Sequence, residues 1–173
     1  CFSKVIEDSI KDGSRALVLA HRTELLTQAA EKLKKVSGLD SALEKAENTS
    51  YGSDLQVTLG SVQTLSKEKR LHQFPNDYFK TIVVDEGHHS MSDSYQTILK
   101  HFDKANILGV TATPDRSDER NLGQFFDSKA YEYTIAQGIR DGYLSPVKAQ
   151  LIPLQLDIKD VNVSQGDYNA GEI

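Results

Sequence analysis

The stretch Thr81-Ile82-Val83-Val84-Asp85-Glu86-Gly87-His88-His89-Ser90 passes from apolar to acidic in one step. Ile82, Val83 and Val84 are consecutive and β-branched. A run without polar alternation predicts a strand covered on both faces, as in parallel sheets flanked by helices. Packing gives no reason for two carboxylates and two imidazoles at its tip.

Three other segments repeat the pattern. ALVLA (16–20) runs into His21, Arg22 and Thr23. The strand candidate LQVTLG (55–60) runs into Ser61, Val62, Gln63 and Thr64. ILGVTAT (107–113) ends in Thr111, Ala112 and Thr113, with Pro114 next. Helical periodicity fills the gaps: 2–11, 22–37 with Gly38 as its stop, a short helix within 62–71, and 92–102 capped by Ser92 or Ser94. Alternating strands and helices predict an α/β three-layer sandwich, a mostly parallel sheet with helices on both faces. Residues 39–54 show little pattern and read as mixed helix and loop. After Pro114 come a charged loop (115–120), an edge strand at YEYT (131–134) and a short helix at 135–140 closed by Gly142. Residues 148–158 read as extended and are interrupted by Pro153; a polar tail follows.

In a parallel sheet these strand ends share one rim, where open α/β sheets bind ligands. An acid fixed at such an end suits Mg²⁺, which prefers carboxylate oxygens and keeps water and phosphates as other ligands. Asp85 is the candidate ligand. A neighbouring acid, Glu86, is placed to activate water against a phosphoryl group.

The totals bound the partners. The 173 residues are 38% hydrophobic and 26% charged, with net charge −5. That is an ordinary globular composition with no global basic field. No apolar run reaches the roughly 20 residues of a membrane span, so no membrane partner is expected. The lone cysteine, Cys1, fits a reducing compartment and a cytoplasmic location. With Cys1 first and Met91 the only methionine, the chain is expected to be a piece of something longer.

VVDEGHH resembles motif II of the superfamily 2 helicases and translocases, in the DExH (DEAH-box) form. LVLAHRTELLTQA resembles motif Ia, TLGSVQTL the next nucleic-acid-contacting motif, and GVTATP motif III. FFDSKAYEYTIAQGIRDGYLSPV is similar to the segment after motif III in type III restriction-enzyme helicase subunits and related DNA repair helicases. The resemblance covers nearly the whole chain. It implies a RecA-like P-loop NTPase domain, here N-terminally truncated, over residues 1–147. Residues 148–173 would be a linker and the start of a second RecA-like domain.

The resemblance implies ATP and Mg²⁺ as cofactors and nucleic acid as partner, with DNA favoured over RNA. It gives Asp85 to the metal, Glu86 to the water and His88 to the link with the motif III strand. Thr111, Ala112 and Thr113 would couple hydrolysis to the second domain. His21, Arg22, Thr23, Gly60, Ser61, Gln63 and Thr64 would lie along the nucleic-acid backbone. Gly87 replaces the commoner alanine.

The phosphate-cradling G-x-x-x-x-G-K-[ST] is absent, for none of the eleven glycines precedes a lysine. This stretch alone is therefore expected to bind ATP poorly and hydrolyse little. Rival readings stay open: solvated loop acids, a zinc site from Asp85, Glu86, His88 and His89, or a helicase-like binding module without catalysis. The runs Lys32/Lys34/Lys35 and Lys67/Lys69/Arg70 read as solvated helix faces or as nucleic-acid contacts.

Overall fold

A computed structural model describes residues 2–87, 90, 92–112, 126–148, 163–164 and 167–168. They divide into two compact units, Cys1–Lys129 and Ala130–Ile173.

The first unit is built on five parallel strands: β1 (Ala16–Ala20), β2 (Ser41–Glu44), β3 (Val57–Ser61), β4 (Thr81–Asp85) and β5 (Asn106–Val110). Their order across the sheet is β2-β3-β1-β4-β5. Every pairing among them is parallel. This is the expected α/β sandwich, and all five strand ends fall on one crest.

The strands alternate their side chains between two apolar cores. Leu17, Leu19, Ile82 and Val84 join Val62, Leu65, Phe74, Ile98 and Phe102 on one face. Ala16, Val18, Ala20 and Val83 join Ile6, Leu26, Ala29 and Leu33 on the other. The first face is covered by α3 (Val62–Leu65), α4 (Glu68–Leu71) and α5 (Asp93–His101), the second by α1 (Phe2–Ser9) and α2 (Thr23–Ser37). β1, β3 and most of β4 are therefore buried on both sides, which accounts for their unbroken apolar sequence. Gly38 stops α2 in the left-handed conformation at φ 67°, and its N–H returns to Lys34 O.

Three expectations change. Residues 39–54 are not mixed helix and loop: Ser41–Glu44 forms edge strand β2 in register with Val57–Gly60. SALE has no β-branched residue, and its burial inverts its polarity, with Leu43 exposed and Glu44 fully buried. Long-range pairing decides this strand, not its own pattern. The helix within 62–71 is two single turns, α3 and α4, parted at Ser66 and Lys67. YEYT (131–134) is not a strand. Tyr131 and Tyr133 stack at 6.4 Å instead, and Thr134 caps the helix that follows.

In the second unit that helix is α6 (Ile135–Arg140). Thr134 and Gln137 form a reciprocal capping box at its start. Val163–Ser164 (β6) and Asp167–Tyr168 (β7) form an antiparallel pair. The extended segment expected at 148–158 lies outside the described residues, apart from Lys148.

Candidate active site and nucleic-acid crest

β4 ends at Asp85, paired in register with Val110 of β5. Asp85 and Glu86 are both half-buried. Glu86 leaves the strand with φ 56°, a conformation that side-chain-bearing residues seldom adopt. Such backbone persists where its surroundings impose it, and it concentrates at functional sites. Asp85 Oδ1 accepts the Glu86 N–H at 3.1 Å, so the carboxylate is tied to the turn it precedes. Asp85 Oδ2 has no partner among the described residues.

Gly87 packs this turn onto β5. A Cβ there would stand 3.3 Å from Gly109 Cα and 3.4 Å from Val110 N. Alanine at this position would require the β5 backbone to give by tenths of an ångström. Glycine thus suits the close approach of the acid turn to the neighbouring strand.

Tyr95 of α5 is buried, and its hydroxyl has no hydrogen-bond partner among the described residues. Burial, then the charges of Asp85 and Glu86, push its pKa up to about 12 from 10.0. The phenol is therefore neutral in the fold at pH values where an unfolded chain ionises it. Its contribution to stability is complete below pH 10 and is lost as pH rises through about 12. Tyr95→Phe should leave stability at neutral pH unchanged or raise it by about 1 kcal/mol, since it removes an unsatisfied buried group. In urea titrations across that alkaline window the wild type should lose stability faster than the variant. Equal slopes would show that Tyr95 is not the group responsible.

The other strand ends form one hydrogen-bonded rim. Ser61 Oγ donates to Gln63 Oε1 at 2.8 Å, and Gln63 Nε2 donates to His21 O at 2.7 Å. Gln63 thereby ties the end of β3 to the end of β1. Arg22, Thr23 and Gln63 are exposed, whereas Gly60, Ser61 and Thr64 are buried and His21 is half-buried. A Cβ on Gly60 would meet Leu65 Cδ1 at 2.5 Å, so this glycine makes room for core packing under the rim. Thr111, half-buried, and exposed Ala112 follow the end of β5 on the same crest. His88, His89 and Thr113 lie outside the described residues.

Sequence reasoning missed a node beside this rim. Glu44, 0% exposed at the end of β2, meets Arg70 Nη1 at 2.8 Å. That Oε1 has the ion pair alone, without an aligned hydrogen bond. Oε2 accepts Ser50 N at 2.6 Å, Ser50 Oγ at 3.0 Å and Thr49 Oγ1 at 3.3 Å. Arg70 also donates to Asn48 O at 3.3 Å and to Ala46 O. Of the run Lys67/Lys69/Arg70, the arginine is committed to this structural pair. Glu44 and Arg70 belong to different elements with no motif between them, so no spacing rule could have found them.

Comparison with known proteins gives the family and the fold. The family profile "Type III restriction enzyme, res subunit" matches residues 1–116. A Saccharomyces cerevisiae protein that carries the name ATP-dependent helicase IRC3 is 34% identical over 161 residues, 89% of this chain and 23% of that protein. The type I restriction enzyme EcoAI endonuclease subunit of Escherichia coli is 28% identical, over 94% of this chain and 21% of its own. The chain thus spans less than a quarter of these relatives. Among solved structures, the UvsW helicase of bacteriophage T4 superposes with a TM-score of 0.58 at 16% identity, covering 72% of this chain and 45% of that one. The Hef helicase domain of Pyrococcus furiosus superposes with a TM-score of 0.56 at 20% identity, over 69% of this chain and 30% of its own. At these identities the superpositions speak for the fold, which is that of RecA-like helicase domains. Among the described residues no helix is long and apolar enough to cross a membrane. With more than half of its 173 residues matched, the chain belongs to the type III restriction enzyme res subunit family.

Proposed function

We propose that this chain is the first RecA-like domain of an ATP-dependent DNA helicase or translocase. Residues 1–147 would form that domain and 148–173 would lead into the second. The observation that carries the reading is the acid turn. Two carboxylates stand at the end of a doubly buried parallel strand, and the second is in a left-handed backbone conformation beside β5. Residue identity and geometry here exceed what packing requires.

The residues present fit a magnesium ion. Asp85 offers a hard oxygen on a rigid strand end, with one oxygen already oriented by Glu86 N and the other without a partner among the described residues. When bound with ATP, the ion would neutralise charge on the transferred phosphoryl group. Asp85 holds its position at that site. Glu86 takes a proton from, or orients, the attacking water at its carboxylate. Thr111, Ala112, Thr113 and His88 would pass the change in the site to the second domain. Arg22, Thr23 and Gln63 are the exposed groups that would meet the track's phosphates, while His21, Gly60, Ser61 and Thr64 shape the rim beneath them. Hydroxyl and amide donors to phosphate need no overall basic charge, which reconciles a net charge of −5 with nucleic-acid binding. DNA is the favoured track and the cytoplasm the favoured location.

A second reading, favoured by the 28% identity to a type I restriction enzyme endonuclease subunit, is a helicase-like binding module of a restriction or repair assembly. Steady-state ATPase assays on the full-length protein separate the two. The motor reading expects hydrolysis stimulated by single- or double-stranded DNA more than by RNA. DNA binding with no ATPase under any condition would establish the binding module instead.

A further inference from the structure

We propose that Lys45, at the end of β2, is a further contact to the nucleic-acid backbone, held in place by the buried Glu44–Arg70 pair. The assignment rests on the nucleic-acid reading above and extends the contact path to the far edge of the sheet.

β2 pairs with β3 so that Glu44 stands opposite Gly60, and Lys45 follows directly beside the Ser61 end. β1 places Ala20 opposite the same Ser61. Lys45 therefore emerges on the same crest as His21, Thr23 and Gln63. Its Nζ donates to Thr23 Oγ1 at 2.7 Å. That bond uses one of three ammonium donors and leaves the threonine proton free to donate. Two donors side by side, one of them charged, match a phosphate's oxygens. Glu47, two residues on, and Glu24, next to Thr23, are exposed, yet Lys45 forms no ion pair with a carboxylate among the described residues.

The turn that carries Lys45 is unusually constrained. Lys45 and Asn48 exchange backbone hydrogen bonds at 2.9 and 3.2 Å. Ala46 sits at φ 49°, and its N–H donates to Thr64 Oγ1 at 3.0 Å. The buried carboxylate of Glu44 then grips Thr49 and Ser50, while Arg70 binds Ala46 O and Asn48 O. Burying an ion pair is rarely the most stabilising choice at a site; apolar residues of similar volume often serve as well. What this pair adds is position. It locks the turn so that Lys45 reaches Thr23 rather than sampling solvent. Glu44 and Arg70 are accordingly positioning residues, and Lys45 is the contact.

The test uses the full-length protein and a fluorescein-labelled oligothymidylate, with affinity measured by anisotropy across a salt series. Lys45→Ala should weaken binding several-fold and lower the slope of log K against log salt by about 0.7, the value for one phosphate contact on a single strand. Lys45→Arg should restore both. Melting curves for each variant verify that the fold is intact. In a Glu44→Gln/Arg70→Met background, adding Lys45→Ala should cost less than it does alone, because the lysine is no longer held in place. An equal cost in both backgrounds would overturn the positioning role. An unchanged affinity and slope in Lys45→Ala, with the wild type binding normally, would overturn the contact itself. No binding by the wild type would instead overturn the nucleic-acid reading on which both depend.

Discussion

Glu86→Gln in the full-length protein is expected to slow steady-state ATP hydrolysis by about 10²–10⁴-fold, the usual weight of a positioned general base. The substitution is nearly isosteric. It removes the proton-accepting charge and keeps the length, so nucleotide affinity should stay near that of the wild type. The backbone offers a control. Glu86 sits at φ 56°, and glutamine meets the same conformational cost there as glutamate, so no new strain is introduced. Its N–H would still donate to Asp85 Oδ1. Loss of turnover with an unchanged melting temperature would therefore report chemistry and not misfolding. Asp85→Asn should behave differently, weakening the response to magnesium as well as turnover, because it removes charge from the proposed ligand. Wild-type turnover in Glu86→Gln would remove Glu86 from its role and leave the acid turn without a catalytic function.

How much of this could be read beforehand depended on where the information lay. β1, β3 and β4 announce themselves because both faces are buried, and burial on both faces forces an unbroken apolar run. α2 was legible from its apolar stripe and from Gly38, whose φ of 67° explains why a glycine stands there. The acids at the end of β4 were legible because polar residues following such a strand need a reason. β2 was not, since Leu43 is exposed and Glu44 buried, the reverse of what periodicity rewards. Its strand conformation comes from pairing with Val57–Gly60, a long-range fact. The Glu44–Arg70 pair was hidden for the same reason. YEYT failed in the opposite sense: its aromatic composition favours a strand, but Thr134 is recruited by Gln137 to start α6. The left-handed conformation of Glu86 left no sequence signal, because only glycine advertises positive φ reliably.

Arg70→Met should cost about 3 kcal/mol of unfolding free energy, the lower end of what breaking a buried ion pair costs. Glu44 is 0% exposed, so its carboxylate would remain in the interior with only Ser50 and Thr49 as donors. The Arg70 side chain is 19% exposed, which lets water reach part of the vacated space and holds the loss below the upper range. The decisive comparison is the double variant Glu44→Gln/Arg70→Met. Glutamine can still accept the Ser50 N–H, and no uncompensated charge stays behind, so most of the lost stability should return. It should not all return, because the bonds from Arg70 to Ala46 O and Asn48 O are gone as well. Urea unfolding at neutral pH reads this directly, with an unchanged m-value as the sign that the same surface is exposed. A single variant within about 1 kcal/mol of the wild type would mean that the carboxylate relaxes outward to water. β2 would then be held by its backbone ladder alone, and the turn at Lys45 would lose the anchor that sets it on the crest.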